Sequence, residues 1–264
     1  MKMRKVFAAL GMVAALGVTA TTAQAQQGGA LERIQQSGVL RVAVPQDFPP
    51  FGSVGPDMKP VGYDIDTAQL IATEMGVKLE LVPVTSTNRI PYLTTNRVDL
   101  VISSMGKNEE REKVIDFTDA YAPFFNGVFG PQDVQVAKAE DLSGKVVGVT
   151  RGSVEDIELS KIIPANVTVQ RYEDNNGTIS AFLSGQVELI ATGNVVAASI
   201  LERNPPRKPE VKFLIKNSPC YVGLNKNETA LREKVNEILA KAKSDGSLEQ
   251  IAQKWLQSGL PADL

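Results

Sequence analysis

Histidine is absent from the 264-residue chain. That absence excludes the acid–base chemistry most often run on imidazole, every Ser–His or Cys–His nucleophile, and every histidine-ligated metal. A single cysteine, Cys220, allows no intrachain disulfide and no thiolate metal cluster. An excess of positive charge is missing too. The 28 Lys and Arg stand against 30 Asp and Glu, a net charge of -2, which is not the footprint of a nucleic-acid binder. What is present is the composition of an ordinary globular protein, 43% hydrophobic and 22% charged. No residue pattern reads as a cofactor or metal site.

Long apolar runs are also scarce. The run Val6 to Val18 follows a positive stretch carrying Lys2, Arg4 and Lys5, and leads to Ala23-Gln24-Ala25. A short apolar segment between a basic start and an A-x-A site reads as a secretory signal over residues 1–25. It is too short for a membrane span of roughly 20 residues. The expected location is the periplasm, and the mature chain loses positive charge on cleavage. Cys220 is expected there as a buried, inert thiol.

After a short leader, with Leu31 and Ile34 at helical spacing, strand and helix patterns alternate. Val39 to Val44 is an apolar run of strand length. Ile65, Ala68, Ile71, Ala72 and Met75 share one face of a helix over 64–75, which Gly76 ends. Strands are predicted over 78–84 and 98–103, with short helical turns over 88–93 and 109–113. The alternation then restarts. Strands over 145–150, 167–172 and 188–192 interleave with helices over 153–160, 176–184 and 195–202. Strands over 211–215 and 221–224 precede two amphipathic helices, 228–244 and 248–256. Such repetition predicts an α/β protein with mostly parallel sheets. The length suits two lobes. The crossings between them are expected at 127–132 and 217–220, giving a first lobe of 26–126 plus 221–264 and a second of 127–220.

Several segments carry a family likeness. Phe48-Pro49-Pro50-Phe51-Gly52 follows the first strand, and Gly62-Tyr63-Asp64-Ile65-Asp66 opens the first long helix. Asp99 to Ser104, Glu110-Arg111-Glu112-Lys113, Asp116-Phe117 and Tyr121 come next, in order. Together, from about Gly38 to Trp255, they resemble the extracellular solute-binding proteins of polar amino-acid ABC transporters (family 3). The resemblance implies the two-lobed type II periplasmic binding protein fold, hinged by two crossovers and closing on a ligand in the cleft. It also implies an inner-membrane ABC permease as partner, a monomer, and binding without catalysis.

Thr85-Ser86-Thr87-Asn88-Arg89-Ile90-Pro91 is similar to the T-S-x-N-R-I-P segment of the glutamate/aspartate-binding branch. Val149-Thr150-Arg151-Gly152-Ser153 resembles the second-lobe anion loop, V-T-x-G-T. The likeness makes Arg89 and Arg111 anion ligands, with Ser86, Ser104, Thr150 and Ser153 adding hydroxyl or backbone contacts. Phe48 and Tyr63 are its candidate cleft aromatics, and core packing is the plainer role for both.

The residue chemistry suits that assignment. A guanidinium pairs bidentately with a carboxylate, at ~1.5–3 kcal/mol per charged hydrogen bond. On residue type alone an arginine is ordinarily a surface ion-pair partner. Ser153 opens a helix after a strand and a glycine, so it can meet an anion or simply cap the helix. Asp64 and Asp66 are expected to cap their helix and complement its dipole. Lys107, Glu109, Glu110 and Glu112 read as a solvated face.

Two positions depart from the family pattern. The second-lobe aspartate that pairs with an α-ammonium falls on Gly193, leaving Asn194, Thr192 or Asn175 as neutral substitutes, or a ligand with no ammonium. Gly106 stands where many relatives carry Ser or Thr. The sequence thus points to capture of a small anionic solute, an acidic amino acid first and an amine-free dicarboxylate second. A cyclohexadienyl dehydratase-like enzyme on the same fold comes last, since no acid occupies its expected place at Gly193-Asn194.

Overall fold

The structure is a computed structural model and describes residues 29–262 and 264. The expected export segment, 1–25, lies outside the described residues. The first lobe begins with α1 (Ala30–Ser37), β1 (Val39–Pro45), β2 (Asp47–Phe48), β3 (Gly52–Val54), β4 (Pro60–Val61) and α2 (Tyr63–Glu74). It continues through β5 (Lys78–Val84), α3 (Arg89–Thr94), β6 (Leu100–Val101), α4 (Glu109–Glu112) and β7 (Ile115–Ala122). The second lobe holds β8 (Phe125–Gly130), β9 (Val146–Thr150), α5 (Val154–Ile162), β10 (Thr168–Tyr172) and α6 (Asn175–Leu183). Its remaining elements are β11 (Leu189–Gly193), α7 (Asn194–Glu202) and β12 (Glu210–Asn217). The chain then returns through β13 (Cys220–Asn225), α8 (Thr229–Ser244) and α9 (Ser247–Leu256).

One five-stranded sheet has the order β5-β1-β6-β13-β7 and the other β10-β9-β11-β8-β12. In each, the strands linked by helices are parallel, as β1 with β5 and β9 with β10, while the strands entering from the other lobe are antiparallel. β2, β3 and β4 form a separate small sheet. The parallel strand β1 is buried along its second half because helices cover both faces.

The first crossing occurs at Pro123-Phe124, between β7 and β8, ahead of the expected 127–132 stretch. Phe125 to Gly130 is instead a strand, paired antiparallel with both β11 and β12. The return at Ser218-Pro219 falls inside the expected 217–220 stretch. The predicted strand over 98–103 pairs only at Leu100 and Val101, because the backbone turns at Ser104, whose φ is 41°. Strand β7 escapes a pattern reading because Asp116, Thr118 and Asp119 interrupt its apolar residues.

The expected capping roles of Asp64 and Asp66 are not what the structure places there. Gly62 is the N-cap of α2, and no side chain caps it. Asp64 is buried and turned to the cleft side, whereas Asp66 accepts from Lys254 Nζ at 2.6 Å and Trp255 Nε1 at 2.7 Å, tying α9 to α2. Ile65, Ala68, Ile71 and Ala72 pack into a core shared with Leu40, Val42, Val235 and Leu239. Each large side chain so buried contributes about 1.5–3 kcal/mol. The aromatic cluster of Phe48, Phe51 and Phe124 carries that same core across the crossing into the second lobe. Among the described residues, no helix is long and apolar enough to cross a membrane.

Candidate functional site

Beyond the carboxyl ends of β1, β6, β9 and β11, where open α/β sheets place their ligands, the lobes enclose a narrow polar cavity. Six of the nine predicted residues line it: Phe48, Ser86, Arg89, Ser104, Thr150 and Ser153. Tyr63, Arg111 and Asn194 do not.

Arg89 begins α3 and is buried, its Nη1 donating to the Ser103 carbonyl while Nε has no partner. Ser104 is held in its left-handed turn by a backbone N–H donated to Asp64 Oδ2 at 2.8 Å. The other Asp64 oxygen accepts from Tyr121 Oη at 2.6 Å. Burial pushes the Asp64 carboxyl up to about 7, although both hydrogen bonds and the Arg89 charge oppose the rise. Burial likewise lowers Arg89 and drives the Tyr121 phenol well above its ordinary value.

Arg111 stands behind this wall. Its Nη1 donates to Gly106 O at 2.8 Å and its Nη2 to Gly152 O of the second lobe at 3.0 Å, so it acts as a closing contact. Burial and the like charge of Arg89 press it down to about 9, still cationic at neutral pH. The expected double fork on one anion is therefore divided between a cavity arginine and a lobe-bridging one. Tyr63 is a core ring whose hydroxyl donates to Tyr121 O at 2.7 Å. Asn194, the first residue of α7, accepts from Phe125 N at 3.1 Å and so secures the first crossing.

The second lobe offers hydroxyls and helix N-termini. Ser153 caps α5, its Oγ accepting from Asp156 N at 3.1 Å. Thr150 Oγ1 donates to Asn175 Oδ1 at 2.8 Å. Glu155, in the first turn of α5, also lines the cavity; burial raises its carboxyl against the pull of Ser153, Arg111 and Arg89.

Sequence reasoning missed Asp47, Glu155, Asn126 and Ser218, all cavity-lining. Asp47 immediately precedes the Phe48-Pro49-Pro50-Phe51 segment, a signal that could have drawn attention to it. It is 6% exposed, and Oδ2 accepts from Asn175 N at 2.7 Å and Nδ2 at 3.1 Å across the cleft, while Oδ1 has no partner. Burial raises its carboxyl, with the Asn175 bonds opposing.

The two glycines that break the family pattern have physical reasons. A Cβ on Gly193 would fall within the Phe124 ring, so no aspartate fits there. A Cβ on Gly106 would overlap the Ser218 hydroxyl, which occupies that space from the return crossing.

Two α/β lobes closed over a buried polar cavity, with contacts reaching across from both sides, define a protein built to enclose a small solute. The chain belongs to the bacterial extracellular solute-binding proteins, family 3, whose model matches residues 40–258. It is 26% identical to the L-cystine-binding protein TcyJ of Escherichia coli K12 over 93% of this chain and 96% of that one. It is also 26% identical to a glutamate/aspartate import solute-binding protein of Salmonella typhimurium, over 99% and 91%. Among solved structures, a mutant of ArgBP from T. maritima superposes with a TM-score of 0.81 at 30% identity, covering 87% of this chain and 100% of that one.

Proposed function

We propose that this chain captures a free α-amino acid and delivers it to an ABC importer. One observation carries the reading: Arg89 Nε and Asp47 Oδ1 are buried, of opposite charge, unpartnered, and line one cavity. An α-amino acid at neutral pH brings a carboxylate for the first and an ammonium for the second. Asp47 thus supplies from the first lobe the counter-charge that Gly193 withholds from the second. Closure is a hinge motion about the two crossings, made final by the Asp47–Asn175 and Arg111–Gly152 contacts. Export through residues 1–25, a periplasmic location, a monomeric state and the absence of catalysis belong to the same reading.

Two carboxylates, Asp47 and Glu155, line the cavity beside one guanidinium, Arg89. That balance supports a zwitterion over a dianion, because a further uncompensated carboxylate in a buried site is costly. Acidic amino acids and amine-free dicarboxylates therefore rank below net-neutral ones. Calorimetric titration of ligand-stripped protein with α-amino acids and their 2-oxo counterparts tests the reading. Amino acids are expected to bind and oxo acids to give no heat; the reverse ranking refutes it.

Glu155 also supports a second reading. A buried carboxyl with a raised pKa in the cleft is the group a dehydratase on this fold would need. Incubation with prephenate or arogenate is expected to leave both unchanged, and turnover would establish the enzyme instead.

A further inference from the structure

Resting on the amino-acid reading above, we infer that Asn126 and Ser218 select the side chain of the ligand, and that they select a neutral carboxamide, as in glutamine or asparagine. Both line the cavity, Asn126 in the strand that follows the first crossing and Ser218 on the return crossing. Asn126 lies near the start of β8 and is 1% exposed, with neither Oδ1 nor Nδ2 partnered. Ser218 begins the return crossing and is 3% exposed, with Oγ unpartnered. The crossings are tied together by Ser218 N donating to Phe124 O at 3.1 Å, so the two side chains share one rigid frame.

Buried polar groups in folded proteins are ordinarily satisfied, and each exception calls for an explanation. Asn126 presents one acceptor and one donor group whichever way its amide is turned. A carboxamide is its natural complement, since the ligand carbonyl accepts from Nδ2 while the ligand NH₂ donates to Oδ1. Ser218 Oγ can serve either end of the same group.

Charge leads to the same class. The lining carboxylates Asp47 and Glu155 outnumber the lining guanidinium Arg89, and Arg111 stands behind the wall, engaged with Gly106 O and Gly152 O. Asp64 lies behind the wall, already engaged with Tyr121 and Ser104. A second negative charge on the ligand would enter without a counter-charge. An apolar side chain would leave Asn126 unpaired, and sites built to hydrogen-bond their substrate reject analogues that lack the group.

Calorimetric titration of the purified, ligand-stripped protein with glutamine, asparagine, glutamate, aspartate, arginine and alanine decides the matter. Glutamine or asparagine is expected to bind at least about tenfold tighter than its isosteric acid. Asn126→Ala is expected to weaken the carboxamide ligand at least about tenfold and alanine less than about threefold, with Ser218→Ala smaller in the same direction. Glutamate, aspartate or arginine binding as tightly as the carboxamides overturns the inference while leaving the amino-acid reading intact. So does an Asn126→Ala loss equal for alanine and glutamine. Silence toward every amino acid overturns both. If Asn126→Ala fails to fold, the wild-type ranking decides alone.

Discussion

The two lobes contribute to the cavity in different currencies. The first presents buried charge: Arg89 and Asp47 in the wall and Asp64 behind it holding Ser104. The second presents dipoles, namely the N-termini of α5 and α6, the hydroxyls of Thr150 and Ser153, and the amide of Asn175; Glu155 is its only charged side chain in the lining. Full charges desolvated in one rigid lobe hold a ligand that arrives with opposite charges. The neutral groups on the other lobe close over it at a smaller desolvation cost than full charges, Glu155 excepted. The lobes meet through side chains that reach a backbone group opposite, as Asp47 does with Asn175 N and Arg111 with Gly152 O.

The division can be broken most strongly through the first lobe. Asp64 has a carboxyl raised to about 7, so its protonated form carries extra stability that is complete below the ordinary carboxylate range and lost as pH rises toward 7. Urea unfolding from pH 4 to 8 is expected to show wild type losing stability relative to Asp64→Asn, by up to about 1.4 kcal/mol per pH unit. A difference independent of pH would show that Asp64 stays ionised in the fold.

Arg89→Ala removes the cavity cation and is expected to weaken amino-acid binding by about 100-fold in calorimetry. Retained affinity would move the carboxylate site elsewhere, to Arg111 first. Asp47→Asn keeps an acceptor for Asn175 but not the charge. It is expected to weaken amino acids by about tenfold or more, with no loss for any 2-oxo acid that binds.

Gly193→Ala tests the space taken by Phe124. Overpacking there is expected to cost about 1–3 kcal/mol in denaturant midpoint measurements. Unchanged stability would show that the ring gives way. The smallest expected effect is in the second lobe. Ser153→Ala deletes the α5 cap, lowering thermal stability by about 1 kcal/mol and changing affinity only a few-fold. A loss as large as that of Arg89→Ala would erase the contrast between lobes.

Arg89, Ser104 and Thr150 were legible as cavity residues because motifs place them at strand and helix ends, where this architecture opens its cleft. Arg111 was read as an anion ligand, and its bridging role was not legible, since Gly152 lies 41 residues away on the other lobe. Asp47 and Asn126 were not legible. Neither belongs to a motif, and only the meeting of the lobes shows which of its atoms lack a partner.

Periodicity and length were enough, without coordinates, to indicate an α/β chain of two lobes and most of its helices, and motifs read in order gave the resemblance to its family. These are properties of local hydrophobic pattern and of motifs read in order. Tertiary structure alone decided the charge balance of the cavity, the roles of Asp64 and Arg111, and the reasons for Gly106 and Gly193. Each depends on which groups from distant segments lose water together, and a linear pattern does not record that.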